Sequence, residues 1–335
     1  MPAEWQCGES VMLAWPHEFT DWGYMLDEIH RCYAGIAEAV SQDVPVMVFG
    51  PSERDIKKWL GHLSADRLKI VQAATNDTWV RDYGPITIEG GQRLVDFGFN
   101  GWGLKFASNL DNTVVHRLAE NNIFKLPMTS LRGFILEGGS IESDGKGHLL
   151  TTEECLLSPN RNPGFTREEI EQRLCQYLGV KHVLWLSNGG LTGDDTDGHI
   201  DTLVRFAPDD TIIFCEGGTT EQATGLAEMA DELKSLRRAD GMPWNLIGLP
   251  LPTPVRDPED RRLLPATYAN FLALRHTVFV PTYGQPQEDD LAMRIIGSAF
   301  PNHQIVGIDC RALIRQNGSL HCATMQLPAS ALSHF

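Results

Sequence analysis

The chain predicts a mixed α/β fold made of one repeated module and forming a single domain over residues 1–335. Three observations lead there: helix patterns that hand over to short apolar strands, hairpin patterns between those pairs, and polar segments that recur about every 60 residues. Trp79, Glu137, His199, Asn270 and Cys322, taken as equivalent points, stand 58, 62, 71 and 52 residues apart. Five copies of a unit with mixed strands and one helix are what a closed radial arrangement would produce. Internal identity is low, so chance spacing in an ordinary α/β chain is the competing reading.

The elements follow in order. Met25, Leu26, Ile29, Tyr33, Ile36 and Val40 fall at helical spacing, and residues 44–49 form an apolar run ending at Gly50, the mark of a buried strand. Ser52 is a candidate N-cap with Asp55 three residues on, opening a short helix through Trp59 and Leu60 before a strand over 68–71. A hairpin spans 139–151 and turns at Asp144-Gly145. Thr166 and Glu169 make a capping box, Ile170, Leu174 and Leu178 a stripe, and Gly179 the stop before a strand at 183–186. A second hairpin covers 199–215 around Pro208-Asp209-Asp210, then a helix 220–236 and a strand 246–249. The last set is a hairpin over 268–280, a helix 290–296 and a strand 304–308.

Composition narrows the functional classes. Twenty-eight Lys and Arg stand against 44 Asp and Glu, and the formal charge of −16 repels nucleic acid and anionic membranes while attracting a small cation. An acidic surface that merely keeps a protein soluble fits the charge equally well. Seven scattered cysteines without a C-x-x-C pair argue against a disulfide framework. No run of about 18 apolar residues and no secretory signal is legible, so a cytoplasmic location is expected. A homodimer through the helix-rich outer segments is a further expectation.

Four segments carry chemistry. The densest, 193–201, holds Asp194, Asp195, Asp197, Asp201 and His199. Aligned as an EF-hand it puts Gly193 first and Val204 twelfth, so both end ligands are missing. A transition-metal site lacks a second histidine cluster, and a metal-dependent hydrolase is the runner-up. If the segment enters a strand, His199 and Asp201 project from one face, a proton shuttle beside a charge clamp; a surface hydrogen-bonded pair is the bland alternative. In 76–85, Trp79 can wall an apolar slot while Asp82 meets a ligand cation, or Arg81 simply pairs with Asp77 or Asp82 over a core tryptophan. Glu137 follows the apolar 134–136 and precedes Gly138-Gly139, glycines that permit close backbone approach. Finally, Cys322 sits among polar residues in 316–326, whereas the other six cysteines occupy apolar contexts or helical stripes where free cysteine is a small hydrophobe. His321 is its neighbour, but strand neighbours point to opposite faces, which leaves His199 as the better base.

Together, Thr78-Trp79-Val80-Arg81-Asp82-x-Gly84-Pro85, Glu137-Gly138-Gly139, Asp197-Gly198-His199-x-Asp201 and His321-Cys322 resemble, in order, the agmatine deiminase family, the branch that includes bacterial-type peptidylarginine deiminases. Met1-Pro2-Ala3-Glu4-Trp5, Trp15-Pro16-His17 and Phe99-Asn100-Gly101-Trp102-Gly103 extend the resemblance over nearly the whole chain. It implies the pentein fold, a five-bladed α/β propeller of ββαβ modules about a pseudo-fivefold axis. It also implies Cys322 as nucleophile, His199 as acid/base, Asp82 and Asp201 as guanidinium-binding carboxylates, Glu137 as an acid assisting binding and orienting the histidine, and Trp79 as a pocket wall. Asp197, in the same motif as His199, is a further candidate for substrate binding.

The implied reaction removes ammonia from a guanidinium group through a covalent amidino-cysteine, with no metal or organic cofactor. Agmatine is the first-ranked substrate, giving N-carbamoylputrescine in polyamine synthesis. Free arginine, peptidyl-arginine, amidino transfer to an amine and non-catalytic binding of guanidino ligands are the alternatives. Residues 316–320 depart from the glycine-rich run common in the family, which bears on substrate choice. Arginine would need a cationic partner for its carboxylate, for which Arg81 and Arg161 are candidates. The crowded carboxylates should raise the cysteine pKa, leaving mostly thiol in the free enzyme.

Overall fold

The computed structural model describes residues 1–333. Its main sheets all repeat one topology: an antiparallel strand pair, then a helix, then a strand parallel to the second. The unit appears as Ile86–Ile88, Arg93–Gly98, helix Asp111–Glu120 and Met128–Ile135; as Ile141–Ser143, His148–Thr152, helix Arg167–Leu178 and His182–Leu186; and as Val204–Ala207, Thr211–Glu216, helix Leu226–Ser235 and Asn245–Pro250. A fourth copy runs Leu272–Ala273, Thr277–Thr282, helix Pro286–Ala299 and Gln304–Asp309. The fifth is discontinuous in sequence. Met325–Leu327 pairs antiparallel with Ser10–Ala14, which runs parallel to Val46–Gly50 after the helix Leu26–Ser41, and Leu68–Gln72 adds a further parallel strand. The two ends of the chain therefore share one sheet.

Local chemistry sets the helix limits. The Ser52 side chain accepts from the Asp55 amide, Thr166 and Glu169 complete their capping box, and Gly179 ends its helix at φ 68°, a conformation that favours glycine. The helix expected over 220–236 is shorter, Leu226–Ser235, because Thr219–Gln222 is a turn closed by the Gln222 side chain. The helix expected over 290–296 is longer, starting at Pro286, whose missing amide costs nothing at a first helical position. No element is expected from sequence over 86–128, where polar and apolar residues alternate without a clear period.

The strand expected at 199 is corrected: Ile200–Thr202 form a single 3-10 turn and the strand begins only at Val204. Cys322 likewise lies in the turn before Met325, outside the strand. The markers at 79, 137, 199, 270 and 322 all fall two to seven residues ahead of the first strand of a unit. This places one such lead-in from every repeat at a common end of the molecule, where their side chains meet. All seven cysteines are free, and no helix among the described residues is long and apolar enough to cross a membrane.

Candidate active site

Cys322 is buried at the base of a cleft of about 160 Å³. Its turn is held from a neighbouring repeat by Asn270, whose Oδ1 accepts from the amides of His321 at 2.9 Å and Cys322 at 3.3 Å. Asn270 Nδ2 lies 3.3 Å from the sulfur. Arg81 clasps the same turn from another side, donating its amide to the Cys322 carbonyl and its Nε to the His321 carbonyl. Trp79 seats its ring against Gly318, where an added Cβ would come within 2.4 Å of the indole, so only glycine permits this close approach.

Asp82 occupies the one-turn helix Val80–Tyr83. Its Oδ1 accepts from the Gly139 amide at 3.0 Å and its Oδ2 from the Trp102 indole at 2.9 Å. Trp102 reaches it from a left-handed backbone, φ 54°, that tryptophan rarely adopts, with the Asn100 side chain bracing the turn. His199 Nδ1 stands 3.6 Å from Asp82 Oδ1, ion-pair distance without a hydrogen bond. A Cβ on Gly139 would lie 2.6 Å from that nitrogen, so the glycine makes room for the pair. Asp201 Oδ2 accepts from His321 Nδ1 at 2.7 Å and lies 3.7 Å from Cys322 Sγ.

Three polar atoms here are buried without a hydrogen-bond partner: Asp201 Oδ1 and both ring nitrogens of His199. Burying such groups unpaired costs about 1–3 kcal/mol each, a penalty that a bound hydrogen-bonding ligand removes. Burial raises the Asp82 carboxyl to about 6, only partly opposed by His199. Burial works to lower His199, yet Asp82, Cys155 and Glu137 hold it well above the ordinary histidine value. Asp201 is also opposed by burial but is lowered by His321, then His199 and Arg205. Burial, then Asp201 and Asp82, push the Cys322 thiol well above its usual value, in line with the thiol expected for the free protein.

The structure thus gathers Cys322, His199, Asp82, Asp201, Glu137 and Trp79. His199 and Asp201 converge from a 3-10 turn rather than from one face of a strand. His321 is kept from Cys322 not by strand alternation but by its bonds to Asp201 and Glu4. Asp197, expected at the substrate, has its carboxylate taken by Arg161 Nη1 at 2.7 Å and Lys105 Nζ at 2.5 Å. Arg161 also binds both oxygens of Glu137, and Arg81 pairs with Glu4, so neither arginine is free to receive a ligand carboxylate.

Cys155 proves to be no isolated core residue: with Glu137 and His199 it brings potential metal-ligating atoms within 4.8 Å of one another. Of the 194–201 segment that suggested a metal, only His199 belongs to this cluster. The Arg161 guanidinium bound to Glu137 opposes a further cation there, and Asp194 caps its own turn by accepting from the Thr196 and Gly198 amides.

The sequence pointed to no role for Asn270, Trp102, Asp21 or Phe106. Asp21, Asp77, Asp194 and Asp195 line the cleft with Trp79, Trp102 and Phe106, and none of its lining side chains is basic. Burial raises Asp77 to about 7 and Asp195 above its usual range.

A family model for Porphyromonas-type peptidyl-arginine deiminases matches residues 1–328. An agmatine deiminase of Stutzerimonas stutzeri is 33% identical, the match covering 98% of this chain and 95% of that one. Among solved structures, a Porphyromonas gingivalis protein provisionally described as an arginine deiminase is 43% identical with a TM-score of 0.92, covering 99% of each chain. A C. jejuni agmatine deiminase variant with substrate bound is 38% identical with a TM-score of 0.90, over 99% of this chain and 96% of that one. The mixed α/β architecture is the pentein fold these structures share.

Proposed function

The chain belongs to the Porphyromonas-type peptidyl-arginine deiminase family, and from that premise we propose that it hydrolyses agmatine to N-carbamoylputrescine and ammonia through a covalent intermediate on Cys322. The observation that carries the choice of substrate is the rim: four aspartates and no basic side chain surround the mouth above Cys322. A dication with a guanidinium at one end and an ammonium at the other is complementary to acids at both ends of the cleft. Free arginine would bring a carboxylate against those aspartates without a cationic partner. The substrate-bound agmatine deiminase of C. jejuni supports the same reading.

In this mechanism the guanidinium lies between Asp82 and Asp201, filling the open acceptor of Asp201 with a charge-assisted hydrogen bond. Its positive charge offsets the carboxylates and lowers the thiol pKa, so Cys322 gives its proton to solvent water once substrate is bound. The thiolate attacks the guanidinium carbon, and a C–N π pair moves onto nitrogen. Protonated His199 gives its proton to the departing nitrogen, the C–N bond breaks, and ammonia leaves an amidino-cysteine. His199 then takes a proton from water as it adds to that carbon, and collapse expels Cys322 with the ureido product. Glu137 steadies the site through its ion pair with Arg161. The reading places the enzyme in the cytoplasm, where its free cysteines stay reduced.

Ammonia release in excess chelator, compared for agmatine, arginine and an arginyl peptide, tests this. We expect kcat/KM for agmatine to exceed that for arginine by at least about 100-fold, the size of effect expected for one buried uncompensated charge. Equal or faster turnover of arginine or the peptide would reject agmatine, and loss of activity with chelator would favour the metal-dependent alternative.

The carboxylates also set a pH dependence. Cation binding requires them ionised, and burial places Asp77 at about 7 and Asp82 at about 6 in the free protein. kcat/KM for agmatine should therefore fall as pH drops through about 7, whereas an alkylguanidine without the distal ammonium should hold until about 6. Superimposable acid limbs for the two compounds would remove Asp77 from ammonium recognition.

A further inference from the structure

We propose that His321, anchored by Glu4, is a positioning residue that holds Asp201 with one oxygen committed and the other open to the substrate cation. The inference rests on the deiminase reading and deepens it by naming what prepares one of its two carboxylates.

Asp201 is fully buried. An ionised carboxylate can only accept, so the 2.7 Å contact fixes a proton on His321 Nδ1 that points at Asp201 Oδ2. The far nitrogen, Nε2, lies 3.2 Å from both Glu4 Oε1 and Arg205 Nη2, and is occupied whichever protonation state the ring adopts. Glu4 is itself fixed by Arg81, Arg205 and the Ala273 amide. The His321 backbone is held by Asn270. The ring is thus wedged at both ends and cannot turn without breaking several buried contacts.

The charged and titratable groups facing Asp201 are His321, His199, Arg205, Arg81, Asp82 and Cys322. Among the described residues, only His321 gives its side chain a hydrogen bond other than the weak thiol contact at 3.7 Å. The Arg205 guanidinium cannot replace it, being engaged by Glu4, Glu142 and the carbonyls of Ala269 and Phe271. With Oδ2 held by His321, the unpartnered Oδ1 is the atom available to a guanidinium. Without that donor, a buried carboxylate beside Asp82 would take up a proton at higher pH and lose its orientation.

Agmatine kinetics across pH in the wild type, His321→Ala, His321→Asn and Glu4→Gln tests this, with thermal unfolding to report the fold. We expect His321→Ala to lower kcat/KM at neutral pH by about 100-fold, through KM with kcat nearly kept. His321→Asn, whose Nδ2 can stand in for Nδ1, should recover at least about tenfold of that loss, and Glu4→Gln should raise KM by less. An unchanged KM in a folded His321→Ala protein, or an asparagine variant no better than alanine, would overturn the proposal. Should His321→Ala fail to fold, a wild-type KM in Glu4→Gln would overturn it equally. Calorimetric binding of agmatine to Cys322→Ser with and without His321→Ala, or Glu4→Gln where the alanine variant does not fold, reads Asp201 independently of turnover, so an inactive wild type, which sinks the deiminase reading, is distinguished from intact binding that ignores His321.

Discussion

Replacing Cys322 by alanine should abolish ammonia release from agmatine, by about 10⁴-fold or more, while agmatine still binds. The sulfur is the atom that would bond to the guanidinium carbon, and the carboxylates that hold the cation lie on other repeats and remain in place. Binding should even tighten slightly, because the truncated side chain leaves room beside Asp201, 3.7 Å from the sulfur. The protonation state is checked on the unmodified protein. Burial and two carboxylates keep Cys322 a thiol, so its alkylation by iodoacetamide should be slow at pH 7 and still accelerating above pH 9. Residual turnover within tenfold of wild type would remove Cys322 as nucleophile; a plateau in alkylation below pH 8 would show a thiolate formed without substrate.

The second large effect is expected at His199. His199→Gln should lower kcat by about 10²–10⁴-fold, the usual range for a lost general acid and base, with KM unchanged or lower. The reason for the split is Asp82: protonated His199 stands 3.6 Å from its Oδ1 and competes with the guanidinium for it. Removing the imidazolium takes away that competitor along with the proton donor. Steady-state kinetics separates the two effects, and mass spectrometry of quenched reactions should find the amidino group on Cys322 if water addition becomes the slower step. A raised KM with kcat intact would make His199 a binding residue rather than the proton carrier.

Much of this candidate site was legible in the sequence, because the residues proposed to do chemistry violate the local pattern around them. Glu137 is an acid ending an apolar run, and Cys322 is the cysteine set among polar neighbours. Capping residues gave helix limits as well, since Ser52, Thr166 and Gly179 act on backbone groups within a few residues. What escaped depends on contacts between distant segments. Cys155 looks like a core residue until Thr152–Leu156 is folded against His199, and Asn270 bears on Cys322 only through a turn 52 residues away. The partners of Asp197 escaped for the same reason: a carboxylate two residues from His199 belongs to the site by sequence, but Arg161 and Lys105, far away in the chain, take it up in ion pairs. The strand expected at His199 failed because alternation continues to 206 while the backbone is still in a turn at 200–202.

The sheet that joins Ser10–Ala14 to Met325–Leu327 also sets the order in which the enzyme comes into being. During synthesis the N-terminal segment waits for its partner until residue 327 has cleared the ribosome, by which time the other repeats have their strands in hand. Cys322, the proposed nucleophile, arrives in the same stretch, three residues ahead of that closing strand. A nascent chain can therefore have four repeats folded while the fifth still waits for its closing strand.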